Sequence, residues 1–188
     1  MSDGELLLLA RDGDSDAWHA LVDRLGNRVF AVARAHGLGR ADAEDVSQIA
    51  WYRLLTHINE IRDPERVGAW LATTARNESL RVLKRHGRQI PSDDEEAFEQ
   101  ADERSPSPDA RLLADERQLA VWEALARLPP HCQRLLRLFM VDPPPSYEEV
   151  TAALDMPIGS VGPTRQRCLA KLKDRLDGIS GSGEGSGP

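Results

Sequence analysis

The stretch that decides the fold runs LARLPPHCQRLLRLF (125–139), MVDPPP (140–145), SYEEVTAAL (146–154), DMPIGS (155–160) and VGPTRQRCLAKLKDRL (161–176). Pro129-Pro130 opens a helix, because a proline in the first turn forfeits no intrahelical hydrogen bond. Pro143-Pro144-Pro145 forbids helix and separates it from the next one. Ser146-x-x-Glu149 has the form of a capping box. The hydroxyl takes one orphan amide and the carboxylate returns to another. Asp155-Met156-Pro157 predicts a tight turn. Ser160 reads as the N-cap of a last helix, with Pro163 in its first turn and Thr164 to about Leu176 as its body. A helix, a tight turn and a second, basic helix make a helix-turn-helix, whose second helix enters the DNA major groove.

Charge and pattern on that last helix point the same way. Val161, Cys168, Leu169 and Leu172 are predicted to face inward. Arg165, Arg167, Lys171, Lys173 and Arg175 stand against the single acid Asp174, as phosphate contact requires. Ser160, Gly162, Pro163, Thr164 and Gln166 lie at the end that reaches base edges, and Arg165 or Arg167 suits a guanine. A plain surface helix also carries charge. Here the caps, the turn and the basic face agree, which favours DNA.

Upstream, residues 5–90 read as one helical domain. Trp18, Leu21, Val22, Leu25, Val29, Val32 and Ala33 recur at helical spacing, and Gly37-Leu38-Gly39 ends that helix. Asp42-Ala43-Glu44-Asp45 starts another, with acids suited to a helix N-terminus. Its apolar stripe is Val46, Ile49, Ala50 and Leu54. Of the adjacent Trp51 and Tyr52, only one can point fully inward, leaving the other for a partner. Residues 56–63 read as a loop. Pro64 opens a long helix ending in the basic run Lys84-Arg85-His86-Gly87-Arg88.

The expected class is all-α, since β-branched runs are nearly absent and Leu, Ala, Arg and Glu dominate. The net charge of −7 over 188 residues sits badly with a DNA partner until its distribution is seen. Residues 91–110 hold eight acids and one Arg. The flanks on either side are balanced, so local patches decide. The expected organisation is a helical domain at 1–90, a flexible acidic linker at 91–108, a second helical domain at 109–177, and a disordered Gly/Ser tail at 178–188. In the second domain Leu112, Leu119, Trp122, Leu125 and Leu128 suit one long helix. Leu6-Leu7-Leu8-Leu9 is too short to span a membrane and follows acids, so neither membrane insertion nor a signal peptide is expected. Cys132 and Cys168 lack C-x-x-C spacing, and His131-Cys132 alone offers too few ligands for zinc. Both thiols are expected buried and reduced in a cytoplasmic protein, with no metal and no cofactor. No nucleophile elbow, phosphate loop or H-E-x-x-H pairing appears, so no enzyme is expected.

Four stretches, in order and around an acidic linker, together resemble a known family. DAEDVSQIAWYRLL (42–55), VGAWLATTARNESLRVLKR (67–85), LARLPPHCQRLLRL (125–138) and SYEEVTAALDMPIGSVGPTRQRCLAKL (146–172) resemble those of a bacterial RNA polymerase sigma factor of the extracytoplasmic-function type. The resemblance implies a protein of sigma domains 2 and 4 that binds core RNA polymerase and directs promoter-specific initiation. It implies that Asp42, Glu44, Asp45, Gln48, Trp51 and Arg53 dock on the β′ clamp helices, and that the second domain also meets the β flap. It makes Asn59, Arg62, Arg66, Trp70, Arg76, Asn77 and Lys84 candidates for the −10 element. The −35 element would fall to Ser160, Gly162, Pro163, Thr164, Arg165, Gln166, Arg167 and Lys171. An anti-sigma factor is a typical partner of the family. The competing reading is an autonomous helix-turn-helix regulator that binds an operator without polymerase. The 42–55 motif argues against it. Gly162-Pro163 and Pro143–Pro145 depart from the family pattern.

Overall fold

The computed structural model describes residues 1–87 and 116–181, and the described residues contain helices and turns with no strand. The linker at 91–108, Leu112 and the tail from 182 onward lie outside the described residues. Four helices form the first group: α1 (Asp3–Arg11), α2 (Ser15–Ala35), α3 (Arg40–His57) and α4 (Val67–Arg85). Short 3₁₀ turns at Ile58–Glu60 and Pro64–Arg66 connect α3 to α4. The second group holds α5 (Glu116–Ala126), α6 (Pro130–Phe139), α7 (Tyr147–Leu154) and α8 (Ile158–Gly181).

Local chemistry accounts for the boundaries. Ser2 and Asp14 cap α1 and α2 with their side-chain oxygens; Asp14 Oδ1 accepts from the amides of Asp16 and Ala17 at 2.9 and 3.0 Å. Gly37, with φ 85°, takes the left-handed backbone that turns the chain after α2. In α2 the apolar stripe Leu21, Leu25, Val29 and Val32 is buried, as its spacing requires. Trp18 and Trp51 meet edge to face at 5.7 Å, locking α2 to α3. Tyr52 is the member of the aromatic pair that points out, 67% exposed.

The second group has its own small core of Leu125, Leu128, Cys132, Leu135, Leu136, Val150, Val161 and Cys168. It is not held to the first group by chain connection alone. Leu138 of α6 and Ala153 of α7 belong to the first group's core. α7 crosses α4 so closely that a Cβ on Gly68 would lie 2.5 Å from Glu149 Oε1. Glycine at 68 is therefore a condition of this packing.

Several expectations are corrected. α8 begins at Ile158, two residues before Ser160. Ser160 is thus inside the first turn, and its hydroxyl donates to the Pro157 carbonyl at 2.7 Å. Pro163 consequently lies within the helix, where its missing N–H leaves the Gly159 carbonyl without its intrahelical donor. Leu169 is exposed, whereas its neighbour Cys168 takes the inward position on that turn of α8. The helix also continues through Gly178–Gly181, past the predicted start of a disordered tail. Finally, Cys132 and Cys168 are buried as expected but joined in a disulfide. Antiparallel packing of α6 and α8 sets their Cα atoms 5.3 Å apart, inside bridging range.

The capping box on α7 is present in both directions: Ser146 Oγ accepts from the Glu149 amide at 3.2 Å, and Glu149 Oε2 accepts from the Ser146 amide at 2.6 Å. Ser146→Ala should therefore cost about 1 kcal/mol, read as a lower urea midpoint at unchanged m-value.

Candidate nucleic-acid interface

α7, the turn and α8 form the helix-turn-helix. α7 ends on Asp155, a non-glycine residue with φ 56° and ψ 45°, whose amide donates to the Thr151 carbonyl at 2.9 Å. Asp tolerates this left-handed cap better than most side chains. Met156 then packs into the small core and Pro157 leads into α8.

On α8 the outward face carries Pro163, Gln166, Arg167 and Lys171, all exposed. Arg167 is steadied by a hydrogen bond from its guanidinium to Thr164 Oγ1 at 3.1 Å. Ser160, Gly162, Thr164 and Arg165 are half-buried. Arg165 stands apart from the other bases. Its guanidinium lies 4.3 Å over the Phe139 ring, and its Nε is buried with no hydrogen-bond partner. It braces α8 against α6 through cation–π attraction. Phe139 in turn meets Tyr147 edge to face at 6.1 Å, which ties in α7.

Four of the predicted −10 residues, Arg62, Arg66, Trp70 and Arg76, line one open groove. Asn59, Asn77 and Lys84 are exposed outside it. The far wall of the groove is α7 and the turn, through Glu148, Ala152 and Asp155. Two of its arginines are already paired there: Arg66 with Glu148 at 3.3 Å and Arg76 with Asp155 at 2.8 Å. In this arrangement carboxylates of the helix-turn-helix occupy guanidinium groups that the sequence reading assigned to DNA.

Deeper in the same seam the contact becomes a buried ion pair. Arg28 of α2 donates to both carboxylate oxygens of Glu149, at 3.0 and 3.2 Å, with both side chains mostly removed from solvent. Beside it, His36 is buried with Nε2 2.9 Å from the Ala153 carbonyl. A carbonyl can only accept, so Nε2 carries the proton and the ring is a neutral donor. Burial lowers the His36 pKa to about 4; the Ala153 bond opposes the shift, and the nearby Arg134 and Arg76 charges assist it. Arg28, His36, Glu148, Glu149 and Asp155 were not singled out as a site from sequence. Arg28 is one of several charged residues of α2 and His36 caps its end, so nothing local marked partners more than a hundred residues away.

The residues predicted to dock on polymerase divide by exposure. Glu44, Asp45 and Gln48 are exposed on α3. Asp45, Gln48, Tyr52 and Leu55 recur at helical spacing, and Tyr52 and Leu55 add exposed apolar surface to this face. Asp42 lies 3.7 Å from His86, Glu44 pairs with Arg40, and Trp51 packs on Trp18. Arg53 pairs with the buried Glu78 at 2.8 Å and links α3 to α4. For Trp51 and Arg53, internal packing is the role the geometry displays. Among the described residues, no helix is long and apolar enough to cross a membrane.

The described residues thus combine a helix-turn-helix with a separate exposed face on α3 that runs from acidic to aromatic. Comparison with known proteins identifies the class of the chain. Residues 21–89 match the family model Sigma-70 region 2. The chain is 27% identical over 168 residues to the ECF RNA polymerase sigma-E factor of Escherichia coli K12, covering 86% of this chain and 87% of the relative. It is 28% identical over 165 residues to the ECF RNA polymerase sigma factor SigE of Mycolicibacterium smegmatis, covering 85% and 62%. The solved structure of CnrH in complex with the cytosolic domain of CnrY superimposes with a TM-score of 0.62 at 25% identity, over 95% of this chain and 99% of that one. Residues 21–89 thus carry a sigma-70 region 2 match, and over most of its length the chain is similar to sigma factors of the ECF class. It is a sigma factor, a subunit that directs RNA polymerase in transcription initiation.

Two outcomes follow from the seam. Arg28→Ala leaves Glu149 buried without its counter-charge and should destabilise the fold by about 3 kcal/mol or more, read by urea unfolding. His36 is neutral in the folded chain but has an ordinary pKa near 6.5 when unfolded. Its contribution is therefore fully present above about pH 6.5 and is lost as pH falls toward 4, on the order of 3 kcal/mol in all. Unfolding free energy measured from pH 7 to 4 should fall less steeply in His36→Gln than in the parent chain.

Proposed function

We propose that α8 reads the −35 element and that the α3–α4 connection with the face of α4 handles the −10 element, within a promoter complex formed with core RNA polymerase. The observation that carries this reading is the exposed row of Gln166, Arg167 and Lys171 on the outer face of α8. Pro163 and the half-buried Gly162 leave little side chain at the start of the row. Recognition there rests on backbone approach and DNA shape, with base contact from Gln166 and Arg167. Arg165 contributes by holding α8 in position.

The docking face for polymerase is Glu44, Asp45, Gln48, Tyr52 and Leu55, with the β′ clamp helices as its target and the β flap as a target of the second domain. The domain division at 1–90, 91–108 and 109–177 belongs to the same reading. So does action in the cytoplasm, where polymerase and promoters are found. Arg66 and Arg76 must exchange Glu148 and Asp155 for phosphate before the groove can hold DNA, so engagement with polymerase separates α7 from α4. The structural neighbour carries a bound protein domain, which supports an anti-sigma factor as a regulator of this chain.

The test is run-off transcription from a mapped promoter with core polymerase. Arg167→Ala with Lys171→Ala should reduce initiation by about tenfold or more and flatten its salt dependence by roughly two phosphate contacts. Unchanged transcription in a folded double variant would overturn the −35 assignment.

A further inference from the structure

The helix-turn-helix group contains a feature that promoter recognition does not use. His131 and Cys132 lie at the start of α6, and Cys168 lies in the middle of α8. The imidazole nitrogen of His131 and the two sulfurs all lie within 4.8 Å of one another. His131 Nε2 is 3.3 Å from Cys132 Sγ. Both sulfurs are almost completely buried, and His131 is half-buried.

We propose that, when the Cys132–Cys168 disulfide is reduced, the two thiolates and His131 bind one zinc ion, with water as the fourth ligand. Tetrahedral zinc has Zn–S near 2.3 Å and Zn–N near 2.0–2.1 Å, which puts ligand atoms about 3.5–3.8 Å apart. The His131–Cys132 distance is already close to that value. The sulfurs need only separate by less than about 2 Å once the bond between them is gone. The electrostatics also fit. Two thiolates, a neutral imidazole and a divalent cation sum to zero charge, which suits a shell built from Leu125, Leu128, Leu135 and Val161. Two thiolates without a cation would not be tolerated there. The half-buried side of His131 leaves a solvent approach for the water ligand and for the ion.

The two states interconvert with balanced chemistry. A dithiol reductant delivers two electrons and two protons to the disulfide and becomes a disulfide itself. Zinc then binds and displaces the two thiol protons. In reverse, hydrogen peroxide takes two electrons from the thiolates, leaving the disulfide, two hydroxide ions and free zinc. In either state the centre joins α6 to α8 and so sets the angle at which α8 is presented.

The full chain, reduced with a phosphine and freed of metal, is titrated with cobalt(II) as the probe. Expected are one equivalent bound, a sulfur-to-cobalt charge-transfer band in the near ultraviolet, the visible bands of tetrahedral cobalt, and loss of all of them on adding zinc or hydrogen peroxide. Cys168→Ser should abolish the bands. Losing a ligand should cost at least what losing a ligand's orienting partner does, so His131→Ala should weaken cobalt binding by roughly tenfold or more. Because His131 is half-buried, that variant keeps its fold, checked by circular dichroism, even where Cys168→Ser does not. A reduced, folded parent chain with no charge-transfer band would overturn the proposal. So would a His131→Ala chain that binds cobalt as tightly as the parent.

Discussion

The carboxylate of Glu149 is the constraint on which the arrangement depends. One oxygen closes the capping box of its own helix by accepting the Ser146 amide. Both oxygens accept from the Arg28 guanidinium in α2. The side chain rests where Gly68 of α4 leaves room. A buried charge is tolerated only when it is paired and its lone pairs are filled. Here local helix capping and long-range pairing use the same group, so α7 cannot be capped in this way and packed elsewhere without exposing Arg28 or stranding Glu149.

That constraint has a functional side. Along the same seam the partners become progressively more exposed, from Arg28–Glu149 through Arg76–Asp155 to Arg66–Glu148. The outer pairs are weak by nature, since solvent screens them. They hold guanidinium groups in a polar, phosphate-like environment that DNA could supply instead. A seam with a costly centre and exchangeable edges is compact when alone and can be opened by a partner that offers enough contact area. The edges are also where sequence reading placed the −10 contacts.

Stabilisation of the second group differs in kind from that of the first. The first buries long leucine and valine stripes from four helices. The second has eight buried residues in its own core, supplemented by a covalent cross-link, the Arg165–Phe139–Tyr147 stack and its seat on α2 and α4. Small cores of this kind need such supplements. α8 is consequently positioned by few contacts, each of which bears on its angle to the rest of the group.

What the sequence determined by itself is most of the helices, the cap at Ser146 and the class of protein. The Leu21–Leu25–Val29–Val32 stripe, the Ser146–Glu149 box and the Pro143–Pro145 break are all local signals. Helix periodicity and capping act within a few residues, so they can be read along the chain. The helix-turn-helix and the outward charge of α8 were legible for the same reason. The start of α8 was misplaced, because a proline six residues in and a serine three residues in mimic a first turn. Only tertiary structure decided the rest. It set Arg165 over the Phe139 ring, paired Arg66 and Arg76 with acids, buried His36 against Ala153, and joined Cys132 to Cys168. Each of these is a pairing across tens of residues or more, set by how helices cross. Helix crossing depends on the summed shape of packed side chains, such as the absence of a Cβ at Gly68, and no local pattern in the sequence encodes that sum.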